Sequence, residues 1–61
     1  MDFLEMNMTY KQAVNILFEE TPTDYILEYF ETPDCFQFNV SCGGDLCRYR
    51  VYKETGKVVE K

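Results

Sequence analysis

Residues Cys35–Tyr52, CFQFNVSCGGDLCRYRVY, decide the fold, because two alternating runs flank a Gly-Gly-Asp break. In the first run Phe36, Phe38, Val40 and Cys42 share one parity, while Cys35, Gln37, Asn39 and Ser41 share the other. That is the pattern of a strand with one buried face, and the second run repeats it. With Gly43-Gly44-Asp45-Leu46 as the loop of a β-hairpin, Cys42 faces Cys47, Val40 faces Tyr49 and Phe38 faces Val51, so inward residues meet inward residues. The outward face then pairs Ser41 with Arg48 and Asn39 with Arg50. A slip of one residue would break every inward match.

On the N-terminal side of the hairpin, YILEYFE (25–31) reads as a third strand. Only about eight residues precede Thr32-Pro33, and aromatic and β-branched residues dominate them. A second helix, with Thr21 as N-cap and Pro22 in its first turn, is the alternative. If Thr32 faces Cys35 across a two-residue Pro33-Asp34 turn, Tyr25, Leu27 and Tyr29 point inward, and Ile26 and Phe30 point away from the core. One more loop residue would turn Glu28 inward, and burying an unpaired carboxylate is costly. On the C-terminal side, Gly56 suits the left-handed position of a three-residue turn in Lys53-Glu54-Thr55-Gly56-Lys57. Pairing Lys53 with Lys57 there places Val59 on the core side, beside Val51, and Val58 outside.

Upstream, Thr9 and Gln12 form a Thr-x-x-Gln capping box that starts a helix. Tyr10, Ala13, Val14, Leu17 and Phe18 make one apolar stripe, with Ile16 off it. The Thr21-Pro22 step stops the helix, because the residue before proline disfavours helical geometry. The expected architecture is α+β: one N-terminal helix packed on an antiparallel meander of three to four strands. Residues 1–8 form an N-terminal arm, and residues 9–61 form a single domain.

Sixty-one residues allow one domain, whose core supplies roughly 3–5 kcal/mol at best. Hydrophobic residues at 46% and aromatics at 16% are too many for a disordered chain. The apolar runs reach only three residues and the first charged residue is Asp2, so neither a membrane span nor a secretory signal is expected. A cytoplasmic location follows. The formal charge of −5 is unevenly distributed: residues 1–47 carry nine acids against Lys11 alone, and residues 48–61 carry five bases against Glu54 and Glu60. Such a chain repels phosphates and favours basic partners.

No histidine is present, so Ser-His and Cys-His nucleophilic pairs are excluded within one chain. Gly43-Gly44 lies between strands and not ahead of a helix, where N–H groups would hold a phosphate. Three cysteines give at most three metal ligands, with Cys35 on the opposite parity from Cys42 and Cys47, so no metal or other cofactor is expected. Cys42 and Cys47 are read as buried core thiols and Cys35 as the accessible one. The chain is therefore read as non-enzymatic.

Two surfaces remain as binding candidates. The acids Glu19, Glu20, Asp24, Glu28 and Glu31 could imitate a nucleic-acid backbone and occupy the basic groove of a larger protein. On the sheet, Ile26, Phe30, Arg48, Arg50 and Tyr52 offer an apolar and basic face. That face could meet a protein partner, or take single-stranded nucleic acid by stacking and charge, although the acid excess opposes phosphate. The Ala13-Val14 helix, the Tyr49-Arg50-Val51 strand and the closing Thr55-Gly56-Lys57-Val58 turn resemble the PepSY-type pattern of small bacterial domains. They also resemble short proteins of Gram-positive bacteria and their phages. The resemblance implies a non-catalytic binding fold that inhibits or regulates a partner. PepSY domains are usually exported or membrane-linked, whereas no export signal is expected for this chain. The expected function is a small acidic protein-binding or inhibitory protein of the kind phages and mobile elements encode, anti-CRISPR-like or nuclease-inhibiting. A regulatory module without mimicry and a nucleic-acid binder are the alternatives. Outward Ile26, Phe30 and Val58, with Phe3, Leu4 and Met6 nearby, predict a homodimer.

Overall fold

Each alternating run becomes a strand, and the four strands follow one another across a single sheet. The computed structural model describes residues 8–60, ordered α1 (Tyr10–Glu20), β1 (Tyr25–Glu31), β2 (Cys35–Cys42), β3 (Asp45–Tyr52) and β4 (Val58–Glu60). The sheet order is β1-β2-β3-β4 and every neighbouring pair is antiparallel, so the chain is an α+β meander with one helix on one face. Residues 25–31 are strand, not helix. The arm expected over residues 1–8, with Phe3, Leu4 and Met6, lies outside the described residues apart from Met8.

The capping box forms as its sequence predicts. Thr9 N–H donates to Gln12 Oε1 at 2.9 Å, and Gln12 N–H donates to Thr9 Oγ1 at 3.2 Å. At the other end the Thr21 N–H and hydroxyl both donate to Leu17 O, at 3.0 and 2.7 Å, closing the helix before Pro22. Ala13 and Leu17 are fully buried, but Phe18 is 43% exposed and Ile16 packs against the core. The helix is thus rolled towards β3 and β4, which it contacts, and Ile16 covers Gly56 in the β3–β4 loop. Gly56 has φ +74, the left-handed value expected for it.

The β2–β3 hairpin keeps its parity but not its expected pairing. Cys42 pairs with Asp45, Val40 with Cys47, Phe38 with Tyr49 and Phe36 with Val51, each two positions from the predicted partner. The reason is the turn. Gly43 and Gly44 have φ of 59 and 92, so a two-residue loop with both central residues left-handed forms, and Asp45 and Leu46 join β3. A shift of two residues preserves which face each side chain occupies.

Both outer strands differ from expectation by a single residue, and here the faces change. Thr32 does close on Cys35, with Thr32 N–H donating to Cys35 O at 2.9 Å, and Tyr29 pairs with Phe38 as predicted. The register then breaks between Ile26 and Glu28, leaving Leu27 as the extra residue of a bulge, and Ile26 instead of Leu27 pairs with Val40. Ile26 accordingly packs against the core and Leu27 is 53% exposed. At the other edge Val51 pairs with Val58, so Val58 joins the core and Val59 faces out. Four residues, not three, loop between Tyr52 and Lys57, closed by Tyr52 N–H to Lys57 O at 2.9 Å and Gly56 N–H to Tyr52 O at 2.8 Å.

Phe36, Phe38, Val40 and Val51 form the buried floor beneath Ala13 and Leu17. Each such side chain contributes about 1.5–3 kcal/mol on burial. Tyr10 extends the core towards β1, its ring 4.3 Å from that of Tyr29 and 6.3 Å from that of Phe36. Lys53 also lies over the Phe36 ring, 5.1 Å from its centre, and pairs with Glu31 at 2.7 Å.

Candidate protein interface

The five acids run from the end of α1 to edge strand β1, where Glu28 and Glu31 fall on opposite faces of the sheet, and the fold uses three of them. Asp24 Oδ2 accepts from Gly43 N–H at 2.7 Å and so ties the β2–β3 turn to the start of β1. Glu28 accepts from Asn39 Nδ2 at 3.0 Å, and Glu31 is held by Lys53. Glu19 and Glu20 stand in the last turn of α1, which holds no basic residue, and neither has a side-chain partner among the described residues. Acids in that position oppose the negative end of the helix dipole. They are the acids whose placement local stability does not explain.

The sheet face away from α1 is uncovered among the described residues. Its cross-strand rows are Tyr25–Ser41–Leu46, then Glu28–Asn39–Arg48, then Phe30–Gln37–Arg50–Val59. Phe30, Arg48, Arg50 and Tyr52 therefore share this face as predicted, while Ile26 does not belong to it. Leu46, 62% exposed and paired with Ser41, joins it instead. The sequence reading misses Leu46 because it places that residue in the turn, and it misses the bulge at Leu27 because a bulge has no mark in the sequence. The face has apolar corners and a charged centre, with a carboxylate on β1 and guanidinium groups on β3. In the middle Asn39 Oδ1 is buried without a hydrogen-bond partner among the described residues.

The thiols reverse their expected accessibility. Cys35 is buried, although it lies on the outward parity, because Thr32 folds over it. The Thr32 hydroxyl donates to Cys35 O at 3.0 Å, accepts from Cys35 N–H at 3.0 Å and lies 3.4 Å from Sγ. Cys42 and Cys47 are both free and only half-buried, on the inward face beyond the end of the core. Cys42 Sγ lies 4.0 Å from Tyr49 Oη. A hydrogen bond with Cys42 raises the Cys47 thiol above its ordinary value. Burial, followed by the contact with Cys42, pushes the Tyr49 phenol up to about 12.

An open cleft of about 610 Å³ lies between the Pro33-Asp34 turn and the β3–β4 loop, lined by both turns and by Tyr52, Lys53 and Lys57. Lys53 is already committed to Glu31 and Phe36. Among the described residues no group of three metal-ligating side chains occurs, and no helix is long and apolar enough to cross a membrane. No family model matches the chain, and comparison with curated proteins and with solved structures likewise gave no match.

Proposed function

We propose that this chain is a small, acidic, non-catalytic protein-binding module that acts by occupying a basic surface of a larger protein, as an inhibitor or regulator. The observation that carries the reading is the pair Glu19 and Glu20, without a side-chain partner among the described residues, at the dipole-disfavoured end of α1. Asp24, Glu28 and Glu31 add to the negative field along the adjoining strand. A basic partner such as a nuclease groove recovers, on binding, the electrostatic energy this arrangement withholds from the free chain. The PepSY-like pattern supports the same class of use. Nucleic acid is the weaker reading, because Glu28 stands in the same row as Arg48 and opposes phosphate on that face.

The test is capture of partners from extracts of cells that carry the protein, at low and at high salt, with Glu19→Gln/Glu20→Gln beside the wild type. Partners bound by charge are lost in high salt and by the variant. A partner set indifferent to both refutes the electrostatic reading.

A further inference from the structure

The uncovered sheet face fits a second copy of itself in one orientation. For two sheets packed with their strands aligned, a two-fold axis in the interface runs close to either the direction across the strands or the direction along them. Across the strands it stacks β1 on β1 and β3 on β3, setting Arg48 and Arg50 against their own counterparts. Along β2 it stacks β1 of each copy on β3 of the other and keeps the rows aligned. Glu28 then meets Arg48 of the second copy, Phe30 meets Arg50, and Tyr25 meets Leu46. The first is an ion pair, the second a cation–π contact and the third an apolar contact, and each occurs twice by symmetry. Face-to-face sheets pack with strands within about 30° of each other, which this axis allows. We infer that the chain forms a symmetric dimer through this face, with the two-fold axis along β2.

Asn39 lies on the axis and meets Asn39 of the other copy. Its Oδ1 is already buried within its own chain, without a partner among the described residues, so it takes no part in the contact, and its Nδ2 stays with Glu28. The dimer engages Glu28 but leaves Glu19 and Glu20 at the far end of α1 uncovered, so loss of the dimer and loss of partner binding through that pair are read separately.

The face measures about 400 Å² in projection, from strand spacing and residue rise. That is small for a stable interface, so dissociation in the micromolar range is expected. Sedimentation equilibrium of the full chain over tens to hundreds of micromolar should show a monomer–dimer equilibrium. Glu28→Arg alone and Arg48→Glu alone each put two like-charge pairs in the interface, and each should weaken the dimer by about a hundredfold. Mixing the two variants re-pairs opposite charges between chains and should restore dimers. Circular dichroism confirms that both remain folded, as substitutions at exposed positions should. A wild type that stays monomeric throughout overturns the inference. So do single variants that dimerise normally, as an edge-to-edge pairing through β1 would allow, and a mixture that fails to reassemble.

Discussion

The inner hairpin and the two edges of the sheet respond differently to the same kind of error. In β2–β3 the predicted pairing is wrong by two residues, yet every side chain lies on its predicted face. In β1 and β4 the difference is one residue, and Ile26 takes the place against the core expected for Leu27, as Val58 takes that expected for Val59. Because strand side chains alternate with period two, an even displacement is invisible to the core and an odd one inverts it. The edges tolerate odd displacements because each has one neighbouring strand, and a bulge there disturbs one ladder only.

The largest effect expected from this contrast is on stability at β1. Ile26→Asp places a carboxylate against Val40 and the core, and should destabilise the chain by about 2–3 kcal/mol. Leu27→Asp, one residue on, should change stability by no more than about 0.5 kcal/mol. Urea titration at concentrations too low for association separates the two. Equal losses, or the larger loss at Leu27, would remove the bulge and restore an unbroken register.

The helix, its capping box, its stop at Thr21-Pro22 and the alternation of β2 and β3 were all legible in the sequence, because each depends on residues within a few positions. The edge registers were not, because they depend on which whole strand packs better. Leu27 and Ile26 are interchangeable in composition, and only the placement of Tyr29 against Phe38 together with Ile26 against Val40 tells them apart. The acids illustrate the same limit: their sequence shows charge but not that Asp24, Glu28 and Glu31 already have partners. Cys35 was misjudged because parity predicts direction, while the covering of that position by Thr32 is set by the turn.

The hairpin end holds two inward groups, Cys47 and Tyr49, whose protons are held above their ordinary values, and alkali probes them. An unfolded tyrosine loses its proton near 10.0, whereas Tyr49 keeps its own to about 12. Below pH 10 both states hold the proton; between these values only the folded state does, so stability must fall as pH rises through the window. Tyr49→Phe should flatten that fall in denaturation curves taken from neutral pH to pH 12. A variant as alkali-sensitive as the wild type would show that Tyr49 is not the group responsible.

Thiol labelling contrasts the hairpin end with the turn beside β1. Cys42 and Cys47 should react with a maleimide or disulfide reagent well before Cys35, which is 7% exposed. The rate at Cys47 should keep climbing above pH 9, because its proton is held above the ordinary value of 9.0. Mass spectrometry of partly labelled protein assigns the order. Cys35 reacting first would mean that Thr32 does not seal it.

The smallest effect tests the turn that displaced the hairpin pairing. With φ of 59 at Gly43 and 92 at Gly44, the loop has the two left-handed central residues of a type I′ turn, and asparagine followed by glycine is the preferred pair there. No atom outside the turn lies within 4 Å of a Cβ added at Gly43, so a side chain fits. Gly43→Asn also keeps the N–H that donates to Asp24 and reduces the freedom of the unfolded chain, so it should stabilise by a few tenths of a kcal/mol. Gly44→Ala forces a Cβ into a conformation that L-residues resist, and should cost about 1 kcal/mol. In a four-residue loop of Gly43 to Leu46 nothing sets these positions apart in this way. Matching losses from Gly43→Asn and Gly44→Ala would therefore return Asp45 and Leu46 to the loop and Cys42 to its place opposite Cys47.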